Sequence, residues 1–304
     1  MRRARQAGAL GVALTVAVLG MSGCGSTRDT GHDGRPAVVA STDVWGSVAQ
    51  SVAGDDARVS SIVTSGSADP HSYEASPSDA AAIADASIVV YNGGGYDPWV
   101  DAVLDNHRDV PAVNAYSLLD AAAVGEPQPA NEHVFFDLGT AKAVANDLAA
   151  KLATADPGKA AGYRSRAAEF GRRADEVRAA EKALRQVRPG AAVIATEPVA
   201  HYLLQAVGLA DKTPPGFTSA VEQDTDPAPA DLAAVLDLIT GREVAAVVFN
   251  DQTVTSATRR VRDAAREAGV PVVGVTETLP AGSDYLRWQS DTVAGLARAL
   301  RESR

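Results

Sequence analysis

Residues 87–91 read Ser-Ile-Val-Val-Tyr, a continuous apolar run that is followed by Asn92-Gly93. The run has the length and the β-branched content of a strand that is buried on both faces. Similar runs occur at residues 38–41 and 59–63. The segments that we predict to be helical follow these runs, at residues 44–52, 78–84 and 98–104. Buried strands that alternate with helices predict a parallel sheet with helices on both faces.

The stretch from Pro157 to Val187 breaks this alternation, because it is rich in Ala, Arg and Glu and contains no strand-like run. Its small and apolar residues recur about once per helical turn, at Ala167, Phe170, Ala174, Val177 and Leu184. A single helix of this length would extend for about 40 Å and would be long for a surface helix. We therefore interpret residues 157–188 as a helix that spans two lobes.

The alternation resumes after Pro189-Gly190. The predicted strands are residues 191–195, 244–249 and 270–275, and the predicted helices are residues 199–207, 228–238, 257–268 and 285–300. The predicted fold class is therefore α/β, with two lobes that each contain a mostly parallel sheet flanked by helices. The lobes comprise residues 37–156 and 189–304, and the long spanning helix joins them.

The first 23 residues have the pattern of a secretory signal peptide. Three arginines precede a short apolar run, Ala9 to Met21, which is too short to span a bilayer as a mature helix. The sequence Met21-Ser22-Gly23-Cys24 follows, and it resembles the lipobox of bacterial lipoproteins, in which the cysteine is acylated. We predict a lipid anchor at Cys24, a tether over residues 24–36 and export to the outer face of the cell membrane. The alternative is an ordinary signal peptide followed by an incidental cysteine.

The composition excludes one class of partner. The chain of 304 residues has a net charge of −10, and removal of residues 1–23, with their three arginines, leaves −13. This charge argues against a nucleic-acid-binding protein, which would present a basic surface. With its one cysteine assigned to the anchor, the chain has no disulfide and must be stabilised by a packed core. We expect a monomer.

Two loops of the first lobe carry histidines. His71 lies in Asp69-Pro70-His71-Ser72-Tyr73-Glu74, just after a predicted strand, and His133 lies in a loop just ahead of a helix. Ligand-binding groups of open α/β sheets gather on such loops. Either histidine alone would more often be a surface or core residue. Two imidazoles in these loops indicate half of a site for a divalent transition metal.

These motifs, together with Tyr73-Glu74, Val90-Tyr91-Asn92-Gly93 and the long helix, resemble the zinc/manganese solute-binding lipoproteins of ABC importers. The resemblance extends from about residue 36 to residue 300. It implies a chain that catalyses nothing and works with a membrane permease and a cytoplasmic ATPase. It also implies four metal ligands, two from each lobe, which fall on His71, His133, Glu197 and Glu277.

The chain departs from the family pattern at several of these positions. Glu132 precedes His133 where the family usually has proline. Glu197 stands where the zinc branch has histidine, and Glu277 stands where the family has aspartate, which puts bidentate coordination there in doubt. His201 follows Glu197 by one helical turn and is a rival ligand.

The donor set bears on the metal. Carboxylate oxygen suits Mn²⁺, whereas imidazole suits Zn²⁺ and later metals. Glu197 and the absence of a histidine-rich loop in residues 121–130 favour manganese as the cargo over zinc. The acidic patch Glu222-Gln223-Asp224-Thr225-Asp226 is expected to be a solvated loop.

Two other functions fit parts of the pattern. A secreted metal-dependent hydrolase would use the same ligands, but it would need a general base and an open coordination position. A binding protein for an organic metal chelate would need aromatic residues or arginines in its cleft. We favour a metal-binding transport subunit over both.

Overall fold

The computed structural model describes residues 34–64, 70–126 and 129–303. The predicted signal peptide, Cys24 and most of the predicted tether lie outside the described residues, as does Asp69. Within the described part of the chain, no helix combines the length and the apolar character needed to cross a membrane.

The first lobe contains a four-stranded parallel sheet in the order β2-β1-β3-β4. Its elements are β1 (Ala37–Thr42), α1 (Asp43–Ala53), β2 (Arg58–Val63), α2 (Pro77–Asp85), β3 (Ile88–Tyr91), α3 (Pro98–Leu104), β4 (Ala112–Asn114), α4 (Ala121–Val124) and α5 (Leu138–Ala155). The central strand β3 is buried along its whole length, as its continuous apolar run predicts. Helix α5 follows the His133 loop, and the side chain of Asp137 caps its first turn.

The second lobe repeats this plan with the strand order β6-β5-β7-β8, again all parallel. Its elements are β5 (Ala192–Ala195), α7 (His201–Ala206), β6 (Ala210–Asp211), α8 (Pro215–Glu222), α9 (Pro229–Thr240), β7 (Ala246–Asn250), α10 (Ser256–Ala268), β8 (Val272–Val275) and α11 (Tyr285–Glu302). The carboxyl ends of β5, β7 and β8 lie along one edge of the sheet, because parallel strands run in the same direction.

A single helix, α6 (Ala160–Arg185), connects the lobes after a short 3₁₀ turn at Pro157–Lys159. The residues that recur once per turn in the sequence are all buried in it. It packs against α1 and α5 of the first lobe and against α7 and α11 of the second. Arg166 fixes it to α1 by donating to the carbonyls of Val52 (2.7 Å) and Ala53 (3.0 Å). The predicted fold class, including the spanning helix, is therefore confirmed.

The two lobes also contact each other directly. Side chains of both belong to one continuous apolar core. Across the interface, the Tyr285 hydroxyl donates to the carbonyl of Phe135 (2.7 Å), and the backbone N–H of Leu279 donates to Asp43 (3.0 Å). These contacts hold the carboxyl ends of the two sheets at a defined separation, where the predicted ligand loops meet.

Five elements were not predicted above or were only implied. Helix α4 has four residues and spans about one turn. Strands β4 and β6 have three and two residues, which is too short to show a periodic pattern. The sequence located only the start of α5. Helix α8 occupies a segment whose end was expected to be a solvated loop.

Removal of a large side chain at the contact of α6 with α11 should destabilise the whole protein. The ring of Phe170 is buried and lies 5.9 Å from that of Tyr285. We expect Phe170→Ala to lower the free energy of unfolding by about 3–5 kcal/mol, through lost burial and the cavity left behind. Urea unfolding followed by circular dichroism measures this change. Glu176→Ala, on the exposed side of the same helix, should change it by less than about 0.5 kcal/mol, and equal effects would contradict our account of α6.

Candidate metal centre

The four residues predicted as ligands line one small cavity between the lobes. His71 and His133 reach it from the first lobe, and Glu197 and Glu277 reach it from the second. Glu197 lies two residues after the end of β5, and Glu277 lies two residues after the end of β8. The cavity measures about 10 Å³, which is about the room that one water-sized sphere needs. Its size fits a single ion.

His71 lies in the loop between β2 and α2. The indole Nε1 of Trp99 donates to the carbonyl of Pro70 (3.3 Å), which fixes the backbone next to the histidine. The ring of Tyr96 packs edge-on against the imidazole, with 4.6 Å between the ring centroids. His71 Nδ1 lies 3.8 Å from Glu277 Oε2. The first lobe therefore directs this imidazole at a carboxylate of the second lobe.

His133 is buried, and its orientation is set by Asn131. The Asn131 side-chain oxygen accepts from the backbone N–H of His133 (2.9 Å) and lies 3.1 Å from His133 Nδ1. Since that oxygen can only accept, Nδ1 carries the proton and Nε2 carries a lone pair. His133 Nε2 lies 3.9 Å from Glu277 Oε2. A partner that fixes the tautomer in this way is typical of metal-binding histidines.

One amide, that of Asn250, holds both glutamates. Asn250 lies at the end of β7 and is buried. Its Nδ2 donates to Glu277 Oε1 (2.9 Å) and makes a short hydrogen bond to Glu197 Oε2. Its backbone N–H donates to the Thr196 hydroxyl (3.0 Å). Because Oε1 of Glu277 is held by this amide, Oε2 is the oxygen that faces the two histidines.

The electrostatics of the cavity are unfavourable for two ionised glutamates. Burial raises the pKa of Glu197 to about 8. The negative charge of the neighbouring Glu277 also raises this pKa, whereas the hydrogen bond from Asn250 lowers it. A carboxyl group in such a place keeps its proton at neutral pH unless a cation compensates its charge. The site is therefore arranged so that a bound cation would relieve the repulsion.

Three of the four predicted residues form a compact ligand group. One ligand atom from each of His71, His133 and Glu277 lies within 4.8 Å of the others. With metal–ligand bonds of about 2.0–2.2 Å, two ligands of a tetrahedral site lie roughly 3.4 Å apart, close to the 3.8 and 3.9 Å between Glu277 Oε2 and the imidazoles. Glu197 lines the same cavity and shares the Asn250 amide with Glu277, but it is not in this group among the described residues.

His201, the rival of Glu197, lies elsewhere. It is the first residue of α7, and its Nε2 is 2.6 Å from Oε1 of Glu126. The residues that line the cavity in the described part of the chain do not include it. The backbone between Glu197 and α7 forms a 3₁₀ turn at Pro198–Ala200, so the two side chains do not share a helical face.

Glu222 is a site residue that the sequence analysis missed. The acidic patch was expected to be a solvated loop, and this expectation is wrong for Glu222, which ends α8 and lines the cavity. Its Oε1 is buried and has no hydrogen-bond partner among the described residues. Burial raises the pKa of Glu222 to about 7. Asp224 also lines the cavity but is exposed, so the expectation of a solvated loop agrees with its position.

The sequence analysis also did not identify the two asparagines that orient the proposed ligands. Asn250 directly follows the apolar run of β7, and Asn131 lies two residues before His133. A polar residue at the carboxyl end of a buried strand is a signal that could have identified Asn250, since ligand groups collect at that edge. No comparable signal marks Asn131, whose role depends on the local fold of its loop.

The comparisons with known proteins agree with this architecture. The family described as "Zinc-uptake complex component A periplasmic" matches residues 38–299. The chain is 34% identical over 128 residues to the manganese-binding lipoprotein MntA of Halalkalibacterium halodurans, an alignment that covers 41% of this chain and 42% of that relative. It is 22% identical over 305 residues to the metal ABC transporter substrate-binding lipoprotein FimA of Streptococcus parasanguinis, covering 93% and 96% of the two chains.

A solved structure has the same fold. The periplasmic zinc-binding protein TroA of Treponema pallidum superposes with a TM-score of 0.75 over 88% of this chain and 99% of that one. The sequence identity of 20% limits this likeness to the fold.

Glu197 should make the metal-free protein less stable as the pH rises. Its pKa of about 8 in the folded protein is well above the value of about 4.3 of an unperturbed glutamate. Between these two pH values the folded state therefore binds more protons than the unfolded state. The stability that protonation of Glu197 contributes is fully present below about pH 4 and is lost as the pH rises to about 8.

We expect Glu197→Gln to reduce the loss of stability between pH 5.5 and pH 8 by about 1–3 kcal/mol, since a tenfold change in proton affinity is worth about 1.4 kcal/mol. Urea unfolding with a metal chelator present measures this loss. Glu176→Gln, at an exposed position, is the control and should follow the wild-type protein. An unchanged slope in Glu197→Gln would show that the buried carboxyl is ionised in both states.

Proposed function

Because the chain belongs to the periplasmic zinc-uptake component A family, we propose that it captures one divalent transition metal between its lobes and delivers it to an ABC importer. It is a solute-binding subunit and not an enzyme. Two findings support this proposal: the family match over most of the chain, and the group of His71, His133 and Glu277, whose ligand atoms lie within 4.8 Å of one another. Proteins of this kind work with a membrane permease and an ATPase.

In this proposal His71, His133, Glu197 and Glu277 coordinate the ion. The imidazoles supply neutral nitrogen donors and the glutamates supply oxygen donors, so the bound ion would have its charge compensated by the second lobe alone. Glu197 would move its carboxylate from Asn250 toward the ion, since that hydrogen bond competes with coordination. The lobes would then be linked by the ion as well as by α6.

The other candidate functions lack support in the site. A cleft for an organic chelate would need aromatic residues or arginines, whereas the polar groups that line this cavity are mainly imidazoles and carboxylates. A hydrolase would need a coordination position that is open to water and substrate, whereas His133, Glu197 and Glu277 are all buried.

We propose Mn²⁺ as the cargo. Two carboxylates and no thiolate provide oxygen donors of the type that Mn²⁺ accepts, and a relative that is 34% identical over 128 residues is named as manganese-binding. Intrinsic affinity follows the Irving–Williams order, so Zn²⁺ should bind more tightly in vitro. In this proposal Zn²⁺ is the metal that binds more tightly in vitro, and Mn²⁺ is the metal that the protein delivers in the cell.

His133→Ala should abolish tight metal binding, because it removes the buried imidazole whose tautomer Asn131 fixes. A ligand that binds only the folded state stabilises it by about 4 kcal/mol at a thousandfold excess over its Kd. We expect added Zn²⁺ or Mn²⁺ to raise the melting temperature of the wild-type protein and of His201→Ala, but not that of His133→Ala. Differential scanning calorimetry at pH 7.5 measures these shifts. If His133→Ala keeps the wild-type shift, the proposed ligand set is wrong.

The chain should be held at the outer face of the cell membrane, as the lipoprotein names of its relatives suggest. We propose that acylation of Cys24 provides the anchor and that the exported protein is a monomer. Cys24→Ala should therefore move the protein from the membrane fraction to the soluble fraction, or stall its processing. Intact-mass spectrometry of the wild-type protein supplies the control, and an unmodified mature chain that begins at another residue would contradict the proposal.

A further inference from the structure

Three side chains form a second ligand group next to the inner one. One ligand atom from each of His71, Glu132 and Glu222 lies within 4.8 Å of the others. His71 Nε2 lies 3.9 Å from Glu132 Oε1, whereas the opposite nitrogen of the same ring, Nδ1, lies 3.8 Å from Glu277 Oε2. One imidazole therefore faces two separate sets of carboxylates, one through each nitrogen.

The second group lies on the solvent side of the first. The side chains of His71 and Glu132 are 25% and 27% exposed, whereas those of His133 and Glu277 are 1% and 6% exposed. The side chains of the inner group other than His71 are thus less exposed than Glu132 of the second group, and His71 belongs to both groups. A cation that arrives from solvent would meet Glu132 and His71 before it meets the buried ligands, and Glu222 lines the cavity between them.

The second group also draws on both lobes. Glu132 lies in the loop before α5, and its backbone carbonyl accepts from Asn92 Nδ2 (2.8 Å), which fixes its position in the first lobe. Glu222 is the last residue of α8 in the second lobe, and its buried Oε1 has no hydrogen-bond partner among the described residues. A carboxylate oxygen of this kind, beside a histidine and a second carboxylate, has the chemistry of a divalent-cation ligand.

We infer that Glu132, Glu222 and the Nε2 face of His71 form an outer metal position, which takes a divalent cation from solvent and passes it to the inner site. The inference rests on the proposed function of the inner site. Because His71 belongs to both groups, the ion occupies the two positions in sequence, and the inner position holds it at equilibrium. The outer position has two oxygen donors and one nitrogen donor, so it binds Mn²⁺ or Zn²⁺ more weakly than the inner one.

Stopped-flow tryptophan fluorescence with Mn²⁺ alone, and then with Zn²⁺ alone, tests this inference. Trp99 is a suitable reporter because it donates to the carbonyl of the residue before His71. A group on the access route accelerates binding and release together. We therefore expect Glu132→Gln and Glu222→Gln each to slow the association and the dissociation rate constant about tenfold, at the low end of what focused charge contributes to an association rate. For Glu132→Gln, whose side chain is not part of the lining of the inner cavity, we expect Kd to change less than about twofold, because the access route affects both rates alike.

Asp224→Asn is the matched control, since it removes the same charge from the wall of the same cavity without belonging to the group. Its effect should be smaller and should disappear at 0.5 M salt, where exposed charges are screened over about 4 Å. The effects of the two glutamine variants should persist there. Metal-free melting temperatures of all variants check that each one folds.

Three outcomes overturn the inference. A weaker Kd with an unchanged association rate would make Glu222 or Glu132 an inner ligand. Equal slowing in Asp224→Asn would reduce the effect to long-range attraction. Unchanged rates in both glutamine variants would leave the group without a role in binding. Failure of the proposed function itself is distinguishable, because the wild-type protein would then bind no metal at equilibrium.

Discussion

The amide of Asn250 holds two buried glutamates, and the geometry of the cavity depends on this interaction. Two carboxylates cannot both be ionised in so small and dry a space without compensation. A shared hydrogen-bond donor compensates only part of the charge, as the high pKa of Glu197 shows. A proton can supply the remainder at low pH and a cation can supply it at high pH. A metal ion bound by these glutamates, as proposed, would compete with protons for the same groups and would release protons on binding.

The lobes contribute different chemistry to this competition. The first lobe supplies neutral imidazoles and the second supplies carboxylates, so neither lobe has a complete set of ligands. The long helix α6 and the shared apolar core hold the two halves together without the ion. An ion held by the proposed ligands would therefore complete an arrangement that already exists, and it would require only short movements of side chains such as Glu197. Such preorganisation lowers the entropic cost of binding.

The sequence predicted the fold better than it predicted the details of the site. Long apolar runs such as residues 87–91 identify buried strands, and a pattern such as that around Phe170 identifies a buried helical face, because both are local. The positions of His71, His133, Glu197 and Glu277 could be proposed from a family resemblance, and the structure brings them to one cavity. The parts that escaped prediction depend on contacts that residue spacing does not reveal, either between distant segments or within an irregular loop. Asn250 and Asn131 act through geometry that spacing does not encode. Glu222 reaches the cavity at the end of α8, which packs through Phe217 and Val221 into an apolar cluster of the second lobe.

The way Glu277 is held limits how the site can distinguish metals. Because Asn250 binds Oε1, only Oε2 faces the two histidines, so in the proposed site Glu277 would act as a single-oxygen ligand. With one oxygen from Glu197 the inner shell would have four protein donors, a number that suits the tetrahedral geometry of Zn²⁺. Mn²⁺ accepts carboxylate oxygen readily, but the octahedral geometry of hard ions needs more donors than the inner shell provides. Discrimination in favour of Mn²⁺ therefore cannot come from the inner ligands alone. It would require release of Glu277 from Asn250, or metal availability outside the cell, to offset the intrinsic preference for Zn²⁺.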